Sequence, residues 1–191
     1  MPENIERHNV RMNSSRRQLF GYTNVIDLRD VLKIPSDLTE AVYKCRIIYQ
    51  EAIQRVEFLP YIPRSVLTLR LVQDDDIEYE HKYLDKSRIE GLREGSGTDD
   101  ILIVKQSRIT DASFANIVFF DGTSWITPAQ PLLRGTKRQL LLDTRKIHEE
   151  NITVHDLKHL QKAALINAML DLDERVFIDM KNIFTLDKAV L

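Results

Sequence analysis

Two prolines three positions apart, in Leu59-Pro60-Tyr61-Ile62-Pro63, limit what this chain can fold into more than any other feature. Each lacks an amide donor and fixes its own φ, so no regular helix or central strand runs through both. The runs on either side, residues 55–58 and 65–72, are rich in β-branched and aromatic side chains and read as strands. The break therefore separates two strand-bearing segments and predicts a domain junction, with a small domain over residues 1–60 and a large one over 61–191. A chain of 191 residues has the length for one domain and a smaller companion.

Within the small domain, residues 5–20 are polar and helix-compatible, with Val10, Met12 and Leu19 as the few apolar members and Gly21 as a stop. A second helix is expected after Pro35-Ser36-Asp37, where Ser36 or Asp37 can cap and Leu38, Ala41 and Val42 supply an apolar stripe. Strands are expected from Cys45 on, at 46–49 and 55–58. In the large domain the patterning predicts a short strand over 77–82, a helix over 85–93, and buried strands at 101–104 and 117–120. Asp121-Gly122 turns the chain into a hairpin strand at 125–127. An amphipathic run follows at 137–143, and a last helix is expected from Thr153 with Leu157, Leu160 and Ala164 on one face. The mixture indicates an α+β fold.

Composition removes several function classes. Six glycines are few against an ordinary usage of about 7%, and neither GxGxxG nor GxxxxGK followed by Ser or Thr occurs, so a Rossmann or P-loop nucleotide site is disfavoured. The single cysteine, Cys45, allows no internal disulfide and no CxxC metal site, which suits a reducing cytosol. With 27 basic and 29 acidic residues there is no bulk support for nucleic-acid binding. The charged N-terminus lacks a signal-peptide apolar region and no long apolar run is present, so a cytoplasmic protein without a membrane segment is expected. His155 and His159, four apart on the expected helix, have metal-ligand spacing but neither a third ligand nor HExxH. The acidic run Asp74, Asp75, Asp76, Glu78 and Glu80 lacks the pattern of a calcium loop and reads as a solvated loop. No GxSxG nucleophile elbow exists. Three features carry more. Gly135-Thr136 stands where a loop becomes a helix, a place where backbone N–H groups can hold a phosphate. Lys82 ends an alternating stretch, and Asp111 lies among polar residues flanked by buried strands. Each alone also reads as an ordinary helix start, a solvated lysine or a turn aspartate.

In order along the chain, these segments resemble the class IV aminotransferases, the fold type IV pyridoxal phosphate enzymes that include branched-chain and D-amino acid aminotransferases and 4-amino-4-deoxychorismate lyase. His8-Asn9-Val10-Arg11-Met12, with Ser15 and Leu19-Phe20-Gly21, is similar to the family's H-x-x-R-L/M helix. Lys82-Tyr83-Leu84-Asp85-Lys86 resembles the lyase's K-x-L-N-R. The stretch from Ile109 to Ile117 resembles I/V-x-E-x-x-x-x-N-I/L, with Asp111 and Asn116 at the acid and asparagine positions. Trp125-Ile126-Thr127-Pro128 with Leu133-Arg134-Gly135-Thr136-Lys137-Arg138 resembles Y-T-P followed by L-x-G-I/V-T/M-R, and Leu165-Ile166-Asn167-Ala168-Met169 resembles the late strand beside the cofactor phosphate.

The resemblance implies a D-amino acid aminotransferase-like fold, with a small α/β N-terminal domain and a C-terminal pseudo-barrel α+β domain, and pyridoxal 5'-phosphate as cofactor. It makes Lys82 the lysine that carries the cofactor and moves the substrate α-proton, and Asp111 the partner of the cofactor ring nitrogen. Arg11, Gly135, Thr136 and Asn167 would hold the phosphate, and Leu133 would pack on the ring. Three departures accompany it. Asp111 is one methylene shorter than the family's glutamate. The R-G-x-x-x-R-G-Y substrate segment is missing, leaving Arg46, Arg55 and Tyr61 as substrate-side candidates. The first strands, with their E-T-I/L-R segment, have no counterpart before His8, so the small domain is expected to be truncated. The implied function is a lyase-like reaction that forms 4-aminobenzoate and pyruvate in folate synthesis. The alternatives are an amino acid aminotransferase acting on a 2-oxo acid and a degenerate, non-catalytic binding module. A homodimer acting on a small amino substrate is the implied assembly.

Overall fold

In the computed structural model, which describes residues 3–39, 41–172 and 177–185, the polar stretch at the head of the chain folds as α1, Ile5–Phe20. Gly21 ends it with φ at 76°, a value that glycine adopts without steric cost, and the amides of Gly21 and Tyr22 bond back to the carbonyls of Arg17 and Arg16. The second helix lies earlier than its expected place. A short α2, Leu28–Val31, is capped by the Asp27 carboxylate on the Arg29 amide. Ser36 and Asp37 form only a turn, and the stripe behind them stays at the surface: Ala41 and Val42 are exposed and Leu38 is only half-buried. Leu28 is instead buried with Ile5 and Met12, and Ile47, Tyr49 and Ile53 pack against them from β1, Tyr43–Tyr49, and β2, Ile53–Pro60. These two strands form an antiparallel hairpin with Ile47 opposite Val56. Arg16, fully buried, ties this unit together by donating to the carbonyls of Gln50, Glu51 and Asn24 and to the side-chain oxygens of Asn13 and Asn24. The chain divides into two compact units, Met1–Pro63 and Arg64–Leu191, at the second of the two prolines.

The second unit is built on one sheet. Its strands, in chain order, are β3 (Leu69–Gln73), β4 (Asp100–Lys105), β5 (Arg108–Ala112), β6 (Asn116–Phe120), β7 (Trp125–Pro128), β8 (His148–Glu150), β9 (Lys162–Ile166), β10 (Ile178–Asp179) and β11 (Ile183–Phe184), with α3 (Ser87–Arg93) and α4 (Thr136–Asp143) between them. The spatial order is β10-β9-β6-β5-β4-β3-β11, and β7 branches from β6 to pair with β8. β3 lies parallel to both β4 and β11, and β4 through β6 run as antiparallel neighbours. Leu69, Leu71, Leu102, Ile117 and Phe119 fill the main core, all at 1% exposure or less.

Two expectations fail for identifiable reasons. Residues 77–82 form no strand. Ile77 and Tyr79 are buried and Glu78 and Glu80 exposed, so the alternation records which side chains enter the core, not a ladder of hydrogen bonds. The helix expected from Thr153 is a short 3-10 helix, Val154–His159, opened by a Thr153/Asp156 capping box, and the chain then enters β9, so Ala164 is a strand residue. At three residues per turn, His155 and His159 stand a third of a turn apart and share no metal-facing stripe. No described helix is long and apolar enough to cross a membrane.

At the start of β9 the Lys162 ammonium lies 3.9 Å from the ring centroid of Phe177, 5.2 Å from that of Phe120 and 5.5 Å from that of Trp125. The cation joins β6, β7 and β9 to the segment before β10 through the negative faces of three rings. Lys162→Ala is expected to lower stability by about 1–2 kcal/mol in a urea titration, with a shift in the emission of Trp125, the single tryptophan.

Candidate active site

β5 and β6 meet in a tight hairpin in which Asp111 stands opposite Asn116. Both are buried, so each polar atom must find a partner inside the protein. The Asn116 amide donates to Asp111 Oδ1 at 2.7 Å and to the Leu133 carbonyl at 2.8 Å, and the Leu133 amide donates to Asp111 Oδ2 at 2.9 Å. Burial pushes the Asp111 carboxyl up to about 6; the Leu133 amide, Asn116 and the charge of Arg138 act the other way and keep it from rising further. The result is a desolvated carboxyl held in one orientation by the side chain five residues on and by the loop that enters α4.

That loop ends at Gly135. A Cβ placed there would lie 2.0 Å from Asn116 Oδ1, and Asn116 has no freedom to withdraw because its amide already holds Asp111 and Leu133. Glycine is required for the close approach, since its φ of -67° suits any residue. The start of α4 has no side-chain cap and no acid in its first turn. It carries the reverse: Lys137 and Arg138 are both buried, although the helix dipole disfavours cations at this end. The Lys137 ammonium pairs with Asp171 at 2.8 Å. Arg138 Nη2 donates to the Pro128 carbonyl and to Glu149, while Nε and Nη1 are buried without a hydrogen-bond partner among the described residues. Amide donors, the positive helix end and two buried cations thus concentrate positive potential beside a buried carboxyl. This donor set fits a cofactor that carries a phosphate at one end and a protonated ring nitrogen at the other.

The other expected site residues are distributed as follows. Leu133 is half-buried in the cluster of Ile77, Tyr79, Ile101 and Leu132. Lys82 is exposed, with its ammonium 6.0 Å from the ring centroid of Tyr79, whose cluster also packs Leu133. Thr136 is buried as the first residue of α4. Asn167, just past β9, donates to the carbonyl of Phe114 in the β5–β6 turn at 3.4 Å and takes the Met169 amide on its own side-chain oxygen. The remaining four belong to the first unit. Arg11 is half-buried on α1, one turn after His8, whose ring is brought down to about 4 by burial and then by the Arg11 charge. Arg46 and Arg55 both pair with Glu57, at 3.4 and 2.5 Å. Burial raises the half-buried Tyr61 hydroxyl. Lys137 and Arg138 lie within the quoted motif without a role assigned to them, and Asp171 lies outside it. A basic pair directly behind a helix start is the sequence signal that finds the first two, because it opposes the dipole.

The sheet order and the Asp111–Asn116–Gly135 unit define a fold type IV pyridoxal phosphate scaffold. The chain belongs to the amino-transferase class IV family, whose members are pyridoxal phosphate-dependent lyases and aminotransferases. The family's sequence profile matches residues 80–172. A Haemophilus influenzae protein of unassigned function is 35% identical over 170 residues, covering 87% of this chain and 90% of that one. A Haemophilus somnus structure provisionally named 4-amino-4-deoxychorismate lyase superposes with a TM-score of 0.82 at 30% identity, covering 89% of this chain and 91% of its own. A Mesorhizobium loti structure provisionally named an amino-acid aminotransferase shares the fold, with a TM-score of 0.73 at 19% identity over 96% of this chain and 92% of its own.

Gly135→Ala is expected to cost about 1–3 kcal/mol in thermal or urea unfolding, because the methyl group forces Asn116 off Asp111. The Asp111 carboxyl has a folded pKa of about 6 against 3.8 when solvated. Its contribution to stability is therefore complete below pH 3.8 and is lost as pH rises through 6, a change on the order of 3 kcal/mol. Urea titrations of the cofactor-free chain at pH 4 and pH 7 are expected to show this difference in the wild type and a flatter dependence in Asp111→Asn.

Proposed function

We propose that this chain is a pyridoxal phosphate-dependent enzyme that catalyses a 4-amino-4-deoxychorismate lyase-like reaction, forming 4-aminobenzoate and pyruvate for folate synthesis. The observation that carries this reading is the unit in which Asn116 joins a desolvated Asp111 to the uncapped, cation-flanked start of α4. The lyase-like reaction is favoured over transamination by Lys82-Tyr83-Leu84-Asp85 and by the 30% identity to the Haemophilus somnus protein. The same reading takes the chain to be a cytoplasmic homodimer acting on a small amino substrate.

When bound, the cofactor supplies an electron sink for charge developing at the substrate α-carbon. Lys82 Nζ would hold it and would move the substrate α-proton as a general base. Asp111 holds a proton at the ring nitrogen, and Asn116 with the Leu133 amide fixes the carboxylate for that task. The amides of Thr136 and Lys137, the Lys137 ammonium and the Asn167 turn would bind the phosphate, with Gly135 leaving room for Asn116, and Arg11 is the phosphate candidate that the family resemblance implies in the first unit. Leu133 lies against the ring. Arg46, Arg55 and Tyr61 are the substrate-side candidates of the first unit, although Glu57 already engages both arginines.

The test is titration of the purified chain with pyridoxal phosphate, followed by its visible absorbance band, and then assay of 4-aminobenzoate from 4-amino-4-deoxychorismate. The wild type is expected to develop the band and form product. Lys82→Ala is expected to lose the band and at least a hundred-fold in rate. Formation of a 2-oxo acid from amino donors without 4-aminobenzoate would make the chain an aminotransferase. A band with neither product would make it a binding module.

A further inference from the structure

Arg64, the first residue of the second unit, is exposed, with its guanidinium carbon 5.4 Å from the ring centroid of Phe114. It forms none of the close ion pairs among the described residues. Asp99 and Asp100 feel its charge, but Asp99 Oδ2 accepts from the amides of Leu67 and Thr68 and from the Thr68 hydroxyl, and Asp100 is fully buried at the head of β4. Arg46 and Arg55 present a contrast, since both spend their charge on Glu57.

What Arg64 rests on gives it meaning. Phe114 is in the turn between β5 and β6, three residues after Asp111 and two before Asn116, so about 11 Å of backbone at most separates it from the Asp111 Cα. The carbonyl of the same Phe114 receives the Asn167 amide. A single turn therefore bears Asp111 and Asn116 at its base, Asn167 on its carbonyl and Arg64 on its ring. A guanidinium in a cation–π contact still has N–H donors to offer, and its fork matches a carboxylate with two parallel hydrogen bonds. The contact with the ring also restricts a long side chain before any ligand arrives, which lowers the ordering cost of binding.

We propose that Arg64, held on Phe114 beside the Asp111–Asn116 hairpin, binds a carboxylate of the amino substrate. This assignment rests on the reading of the chain as an enzyme for carboxylate-bearing amines, and it supplies the anion contact that the missing R-G-x-x-x-R-G-Y segment would otherwise provide. Arg64 is a substrate-binding residue with no part in holding the cofactor.

Calorimetric titration of the full chain, with and without pyridoxal phosphate, tests it, using as probes 4-aminobenzoate and pyruvate, the two carboxylates a lyase-like reaction releases. Arg64→Gln is expected to weaken carboxylate binding by on the order of ten-fold or more, and Arg64→Lys by less, because a point charge replaces part of the fork. The neutral 4-aminobenzamide is expected to bind wild type and variants alike, and the visible cofactor band is expected to be the same in all three proteins. Equal carboxylate affinity in wild type and Arg64→Gln, or no carboxylate binding by wild type in either state, would overturn the assignment. Carboxylate binding that depends on Arg64 in a chain without a cofactor band keeps the anchor and removes the cofactor reading. An intact band with unchanged carboxylate affinity does the opposite.

Discussion

The contact on which the candidate site depends is the approach of Gly135 to Asn116. Asn116 reaches in two directions with one amide, to the Asp111 carboxylate and to the Leu133 carbonyl, and its oxygen occupies the space where a side chain at 135 would be. The start of α4 can therefore lie against the β5–β6 hairpin only if residue 135 has no Cβ. The orientation of Asp111, the path of the loop through Leu133 and the position of the α4 amides all follow from it. Removing either end of this contact changes all three together.

Electrostatics gives the arrangement its chemical direction. A carboxyl taken out of water tends to take up a proton, and Asp111 is kept near an intermediate value because donors and the Arg138 charge oppose the desolvation. Beside it, Lys137 and Arg138 sit at the helix end where the dipole is already positive. Asp171 and Glu149 offset part of that charge, and the remainder is what an anionic group at the head of α4 would neutralise. A desolvated carboxyl on β5 and the cation-flanked start of α4 thus meet at the Leu133–Gly135 loop, an arrangement that suits a phosphorylated, ring-bearing cofactor.

Local chemistry was legible in the sequence wherever it acts over a few residues. Gly21 ends α1, the two prolines separate the strand-bearing segments, and the five-residue interval between Asp111 and Asn116 spans one hairpin. The misplaced elements all concern burial. Leu38, Ala41 and Val42 look like a helix stripe, but Ala41 and Val42 are exposed and only Leu38 is partly covered. Residues 77–82 alternate like a strand but find no ladder, because alternate burial requires only that every second side chain face inward. Ala164 joins a strand because β6 offers it a partner. Lys137 and Arg138 read in sequence as an ordinary amphipathic start, and their function as buried cations depends on Asp171 and Glu149 arriving from distant segments.

By itself the sequence determined the order of motifs, the residue types able to hold a phosphate and a ring nitrogen, and the absence of the substrate segment expected of this family. The tertiary structure decided that Asp111 is desolvated, that Gly135 must be glycine, and that the Arg64 guanidinium lies over the ring of Phe114 in the same hairpin. The physical reason is that desolvation, close approach and cation–ring contact are properties of space shared by residues far apart in the chain. Spacing along the sequence records them only where the chain folds back on itself within a few residues.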